Sequence, residues 1–287
     1  MSLIFEQYSE RLQRKVRGGQ RSPHTVANFN TITSRLDRWL FAQGLTAETA
    51  SMPVLEEYFD QLTIDMETSS AATHFRTIRA AYNHAMIAGS MRHNPTLDLN
   101  EPKARQKEIR VIPNQRLREI KATIQSPRDW IFFHLLIYTG MRRNEIRTLI
   151  YDDGSEDANV LRIPDKMIRL YGKGRKLRLV PVHPALAEVL AEEEQEPGRF
   201  VVTSRGDSGV AVQTIQDTVR RFDPVYTAHD YRRTAATSLR VNGVDSTIRD
   251  AIMGWQPEGV FQRFYNNISM TELHRAILKL YADDPIA

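Results

Sequence analysis

The chain has 287 residues, of which 41% are hydrophobic and 26% charged, with 39 Lys and Arg against 35 Asp and Glu for a net charge of +4. That balance describes a globular chain long enough for two domains, and no repeat period or low-complexity segment argues otherwise. The absence of cysteine excludes disulfides and thiolate metal sites and fits a reducing compartment, while a sequence pI of 9.3 reaches the range of nucleic-acid binders.

The first residues meet charge early and carry no small-residue cleavage site, so no signal peptide is expected. Four helices are predicted over the first hundred residues. Phe5, Tyr8, Leu12 and Val16 form one apolar stripe, and Val26, Phe29, Ile32 or Thr33, Leu36 and Leu40 form a second. Ser22-Pro23 supplies the second helix with a cap and a first-turn proline, and Gly44 ends it. Leu55, Tyr58, Phe59 and Leu62 predict a third helix. A fourth runs from Ser70 to Ala88 through Phe75, Ile78, Tyr82, Ala85 and Met86, with Gly89 as its stop. Arg35 and Arg38 share a face of the second helix, and Arg76 and Arg79 share one of the fourth; each pair reads as a solvated face or as phosphate contacts.

From Leu97 to Val111 apolar periodicity gives way to charge, including Lys103, Arg105, Lys107 and Arg110, which predicts a basic linker. Asn114 is a candidate cap for the helix that follows. Ser126-Pro127 opens another, apolar nearly all round and therefore buried, which ends at Thr139-Gly140. Its apolar run, Trp130 to Met141, is about half the length a bilayer requires. Strands are predicted at Val160 to Pro164, Met167 to Tyr171 and Leu177 to Val182. Gly172-Lys173-Gly174 makes the turn between the last two, with Lys173 near its tip. A helix from Pro184, a short strand from Phe200 to Thr203 and a helix from Val212 to Phe222 follow. Asp152-Asp153-Gly154 reads as a turn in preference to a metal site, there being no further acidic partners nearby.

Thr227 and Asp230 have the spacing of a capping box, so His229 and Arg232 fall on one face of a helix that stops at Asn242-Gly243. Val244, Ile248 and Ile252 predict a second helix from near Asp245 to Gly254, with Trp255 immediately after it. Tyr265 follows ten residues later. Taken singly, Tyr265 beside Phe264 is a packing residue and Trp255 a wedge; their order gives them another meaning.

His229-x-x-Arg232, Met253-Gly254-Trp255 and Tyr265 resemble the C-terminal signature of the tyrosine recombinases, the family of phage integrases and related site-specific DNA recombinases. Thr139 to Glu145 resembles the family's first arginine box, with Arg142 at the catalytic position and Glu145 at the acidic one. Gly172-Lys173-Gly174 with Arg178-x-Val180-Pro181 resembles its lysine hairpin. Trp255 stands where most members have His and some have Trp.

The resemblance implies a mainly α fold with a small antiparallel β-sheet. Residues 1–96 would be a four-helix core-DNA-binding bundle, 97–111 the linker and 112–271 the α+β catalytic domain. Leu273, Ile277, Leu280 and Tyr281 form a stripe on a tail helix, 272–287, expected to dock on a neighbouring protomer. The resemblance is to members without an arm-binding domain, with the bundle expected from the first residues. The implied partner is double-stranded DNA with inverted core half-sites. The chain would bind it as a homotetramer and be a monomer or weak dimer when free, in a bacterial cytoplasm or nucleoid and off the membrane. Arg35, Arg38, Arg76, Arg79, Lys103, Arg105 and Lys107 are the candidate DNA contacts.

Elementary chemistry asks for these residue types. A phenol with a pKa near ~10 is scarcely ionised at neutral pH, a handicap of roughly 4 kcal/mol for a tyrosinate nucleophile. Arg142 and Arg232 on the non-bridging oxygens would stabilise the charge that builds at phosphorus. Lys173 suits protonation of the departing 5′-oxygen, and His229 suits removal of the phenolic proton from Tyr265. Glu145 can orient an arginine or His229, and Trp255 can donate one hydrogen bond and pack. A 3′-phosphotyrosine retains the ester's energy, so no cofactor, nucleotide or metal is expected. The expected function is a phage or prophage integrase working through a Holliday junction. The alternatives are a chromosome- or plasmid-dimer resolvase, a type IB topoisomerase and a catalytically silent DNA-binding regulator.

Overall fold

A computed structural model describes residues 1–103, 108–172, 176–193, 195–204, 208–255 and 268–286, and the chain divides into two units, Met1–Lys107 and Glu108–Ala287. The first unit is built from α1 (Leu3–Arg17), α2 (Pro23–Phe41), α3 (Met52–Asp65) and α4 (Thr68–Ile87). The Ser22 side chain accepts from the His24 amide at 3.2 Å, so the predicted cap is made. The apolar stripes converge on one core in which Phe5, Leu36, Leu55, Phe75 and Tyr82 are fully buried. Phe59 and Phe75 meet edge to face at 4.8 Å, and the Tyr82 hydroxyl donates to the Ala47 carbonyl at 2.8 Å.

That core extends past the fourth helix. Leu99 is buried in it, and one amino group of Arg79 donates to the carbonyls of Thr96 (2.5 Å), Leu97 (3.3 Å) and Leu99 (2.6 Å). The stretch expected to be linker from Leu97 is thus tied to the first unit at its start. At its other end Arg110 donates to the Val225 carbonyl at 2.7 Å within the second unit.

The second unit opens with α5 (Asn114–Thr123) and α6 (Pro127–Thr139). Asn114 is the first residue of α5 and not its cap; its side-chain amide donates to the Asp284 carbonyl at 2.8 Å. α6 is buried continuously from Ile131 to Thr139, which makes it the axis of this unit. After α7 (Arg143–Arg147) come β1 (Leu149–Tyr151), β2 (Asn159–Arg162), β3 (Met167–Tyr171) and β4 (Leu177–Pro181), in sheet order β1-β2-β3-β4. β2, β3 and β4 are antiparallel neighbours, but β1 runs parallel to β2, so the sheet is mixed. A three-residue strand is too short to reveal itself by alternation. The strand expected from Phe200 to Thr203 is reduced to single bridges, Ile150 to Phe200 and Thr203 to Gly209.

The remaining helices are α8 (Pro184–Ala191), α9 (Val212–Phe222), α10 (Ala228–Val241), α11 (Ser246–Met253) and α12 (Met270–Ile277). The stripe expected to dock on a neighbouring protomer has its partner within the chain. Leu273, Ala276, Ile277, Leu280, Tyr281 and Ile286 are buried in the core of the second unit. The Tyr281 amide donates to Ser238 Oγ at 2.8 Å and its hydroxyl to the Ile137 carbonyl at 3.1 Å, and Arg118 pairs with Asp284 at 2.6 Å. Among the described residues no helix is long and apolar enough to cross a membrane.

Candidate active site

Two helix ends closed by left-handed glycines lie at the centre of the site. α6 stops at Gly140 (φ 59°) and α11 at Gly254 (φ 62°), each in a conformation that costs glycine nothing and other residues strain. A Cβ on Gly140 would lie 2.7 Å from Met253 Cε, so it would displace the end of that side chain where the two helix ends meet.

Arg142 follows directly, at the cap position of α7. Glu145 folds back on it, accepting from the Arg142 amide at 2.7 Å and from its Nη1 at 2.8 Å. Three carbonyls at the end of α11 each take one guanidinium. Ile252 accepts from Arg178 Nε at 3.0 Å, Met253 from Arg232 Nη2, and Gly254 from Arg142 Nη2 at 3.2 Å. The last carbonyls of a helix have no partners of their own and carry the negative end of its dipole, so they are natural seats for cations.

The capping box on α10 is formed: the Thr227 amide and hydroxyl both donate to Asp230 Oδ2 at 2.8 Å. It fixes the start of the helix that presents His229 and Arg232. Arg232 is 2% exposed and also donates to the Gly140 carbonyl through Nη1. Burial first, then repulsion from Arg142 and Arg178, bring its pKa down to about 9, with Glu145 opposing the fall. It is charged at neutral pH and under-compensated, as an anion-binding group should be. Burial, and then the charges of Arg233, Arg232 and Arg142, hold His229 below the usual imidazole range against the pull of Asp230. Neutral His229 is therefore able to accept a proton.

Arg142, Arg232 and His229 line one cleft of about 820 Å³, together with Arg110, Arg143, Arg220 and Tyr226. Trp255 lies beside it, its ring 5.8 Å from the Arg232 guanidinium and 5.7 Å from that of Arg249. Lys173 and Tyr265 lie outside the described residues, as do Arg105 and Lys107. The root of the Lys173 hairpin is described: the Gly172 amide donates to the Lys176 carbonyl at 2.9 Å, and a Cβ on Gly172 would be 3.6 Å from Arg142 Nη1.

Sequence reasoning named Arg178 only as part of a pattern, yet it is buried and forks onto Glu145, with Nη1 to Oε1 at 2.7 Å and Nη2 to Oε2 at 2.6 Å. The signal was present. Strand alternation places Arg178 on the inward face with Val180, leaving Leu177 outside.

The candidate DNA contacts of the first unit differ in their engagement. Arg35 pairs with Asp65 at 2.9 Å, Arg76 approaches Glu101 at 3.4 Å, and exposed Arg38 bonds only weakly back to Ser34 at 3.3 Å. Lys103 is exposed. Arg79 is a correction: its guanidinium lies over the Phe75 ring at 4.3 Å and holds the carbonyls of Thr96, Leu97 and Leu99, an internal clamp and not a free cation.

Comparison with known proteins identifies the family. The model of the phage integrase family matches residues 109–272. A tyrosine recombinase of Pseudothermotoga lettingae is 24% identical over 96% of this chain and 93% of its own length. A tyrosine recombinase XerC of Pelobacter propionicus is 25% identical over 88% and 87%. Among solved structures, a lambda integrase tetramer bound to a Holliday junction superposes with a TM-score of 0.70 at 13% identity, over 93% of this chain and 79% of that one. The Tn1549 transposon integrase in complex with circular intermediate DNA gives 0.65 at 13% identity, over 96% and 99%. Fold and site thus define a tyrosine-recombinase catalytic domain. With more than half of its length matched by the family model, the chain belongs to the phage integrase family, and it is a site-specific DNA recombinase.

Proposed function

We propose that this recombinase is an integrase that cuts and rejoins duplex DNA at paired, inverted core half-sites through a 3′-phosphotyrosine on Tyr265. The observation that carries the reading is the convergence of Arg142, Arg232 and His229 on one cleft, with both guanidiniums seated on the end of α11. In that cleft the arginines hold the non-bridging oxygens and stabilise the dianionic phosphorus centre. His229 takes the phenolic proton as the Tyr265 oxygen bonds to phosphorus, and Lys173 protonates the 5′-oxygen as its bond to phosphorus breaks. Glu145 orients Arg142, and Trp255 packs against Arg232 beside the phosphate. Reversal with the 5′-hydroxyl of a second duplex gives a Holliday junction, and four protomers complete the exchange. Arg35, Arg38, Arg76 and Lys103, with Arg105 and Lys107, supply phosphate contacts that set affinity more than sequence choice.

A second reading, resolution of multimeric circles, is favoured by the XerC and XerD names among the relatives. The two are separated by presenting duplexes selected from a randomised pool, either as two identical sites on one circle or as two different sites on separate molecules. Integration is supported by exchange between different sites. The chemistry itself is tested with a nicked suicide duplex of the selected sequence, which should trap a covalent adduct mapping to Tyr265. An adduct on another tyrosine, or none, would refute the assignment.

A further inference from the structure

The site holds the guanidiniums of Arg232, Arg142 and Arg178, of which the last two bond its one carboxylate, Glu145, and the third, Arg178, is buried away from DNA. The Arg178 side chain is 7% exposed, and its three donor nitrogens are engaged: two on the oxygens of Glu145 and Nε on the Ile252 carbonyl. Glu145 in turn receives four donors on its two oxygens. Oε1 accepts from Arg178 Nη1 and Arg142 Nη1, and Oε2 accepts from Arg178 Nη2 and the Arg142 amide. Four donors match the roughly four lone-pair sites of an ionised carboxylate, so Glu145 is saturated and fixed in plane.

Charge decides what this arrangement does. A lone Glu145 beside Arg142 would neutralise it, leaving one net positive charge from Arg142 and Arg232 together. With Arg178 present the Glu145–Arg178 fork is neutral as a unit, and the two cleft arginines keep a net charge of +2. A phosphodiester carries one negative charge, and the five-coordinate centre formed by tyrosinate attack carries two. The third guanidinium therefore adjusts the site to the transition state more than to bound DNA, and only such differential stabilisation accelerates the chemical step.

Gly254 gives an independent indication that Arg178 must be held in place. A Cβ there would lie 2.7 Å from Arg178 Cδ and 3.1 Å from its Nη1, so the chain end that also receives Arg142 is packed directly on the Arg178 stem. Gly172, at the root of the Lys173 hairpin, is equally close to both: its Cβ would be 3.6 Å from Arg142 Nη1 and 3.7 Å from Arg178 Nη1. β4, α7 and the end of α11 are joined at this one side chain.

We propose that Arg178 is a positioning residue for strand cleavage, which occupies Glu145 so that Arg142 keeps its charge and its seat on α11 for the scissile phosphate. The proposal rests on the functional reading above. Its test uses the full chain and a nicked suicide duplex of the sequence that the wild-type protein selects from a randomised pool, made with either a normal scissile phosphate or a methylphosphonate. The methylphosphonate centre carries one negative charge less. Arg178→Gln should cleave the normal duplex about 100-fold more slowly, on the scale of one lost charge-stabilising group, while binding it as tightly as wild type. The deficit should shrink to about tenfold or less on the methylphosphonate, where less charge needs stabilising.

Adding Glu145→Gln to Arg178→Gln, which restores the charge count, should recover part of the lost cleavage of the normal duplex, short of wild type because the carboxylate that orients Arg142 is gone. Wild-type rates for Arg178→Gln, or the same deficit on both duplexes with no recovery in the double variant, would overturn the proposal. Should Arg178→Gln unfold in a thermal melt, the double variant, with no buried charge left unpaired, decides by the same rate criterion; if it too is unfolded, Arg178 serves stability alone and the proposal falls. A wild-type protein that forms no adduct would count against the functional reading instead.

Discussion

Arg232 joins the Gly140 carbonyl to the Met253 carbonyl, so one buried side chain ties the end of α6 to the end of α11. At Gly140 the backbone is left-handed, and a Cβ there would push against the end of the Met253 side chain. Arg232 is therefore held by helix termini and not by loops.

Gly140→Ala should expose that dependence. It introduces a Cβ at a positive φ and against Met253, and the expected cost is about 1–3 kcal/mol of stability. Denaturant unfolding measures the cost, and suicide-substrate cleavage should fall by a larger factor than DNA affinity. A variant as stable and active as wild type would show that the helix ends have room to move.

The under-compensated charge of Arg232 predicts anion linkage. Inorganic sulfate or phosphate should raise the melting temperature of the wild-type protein by binding the folded state alone. The rise should be much smaller in Arg232→Gln, measured at matched ionic strength with chloride as the control. Equal shifts in both proteins would place the anion elsewhere.

For His229 the direction of the pKa shift fixes the direction of the pH dependence. A base must be neutral to accept the phenolic proton, so cleavage falls as pH drops through its pKa. Burial and the surrounding arginines lower that pKa, so the acid limb should lie below the ~6.5 of an ordinary histidine. The single-turnover rate against pH checks this, and His229→Gln should lose the limb together with much of the rate. A limb unchanged in His229→Gln would assign it to another group.

Deleting residues 272–287 should damage the second unit itself. The deletion strips Leu273, Ile277, Leu280 and Tyr281 from the core, each a loss of about 1.5–3 kcal/mol by burial. Tyr281→Phe is the milder probe, removing the bond to the Ile137 carbonyl for about 1 kcal/mol. Calorimetry distinguishes this from a tail that serves assembly alone, whose deletion would leave the melting temperature unchanged.

In the first unit, Arg79→Met should destabilise the bundle while leaving the salt dependence of DNA binding unchanged, because its guanidinium holds three backbone carbonyls. Arg38→Ala should do the reverse, weakening binding and reducing the salt slope by about one ion. Filter binding across a salt series reads both.

Helix ends and faces were legible in the sequence because the interactions that set them span a few residues. The Ser22 cap, the Thr227–Asp230 box and the stops at Gly140 and Gly254 all stand where local spacing put them. The order of the arginine box, lysine hairpin, His-x-x-Arg pair and Tyr265 carried the family resemblance for the same reason. Tertiary structure alone decided what lies far apart in the chain: the parallel pairing of β1 with β2, the internal docking of α12 and the diversion of Arg79 to carbonyls 17 to 20 residues away. It also decided the role of Arg178, whose inward parity was readable but whose partners, 33 and 74 residues distant, were not. Periodicity says which face of an element is buried; only packing says which carbonyl or carboxylate awaits a buried charge, because an arginine must satisfy its donors with whatever the fold brings within reach.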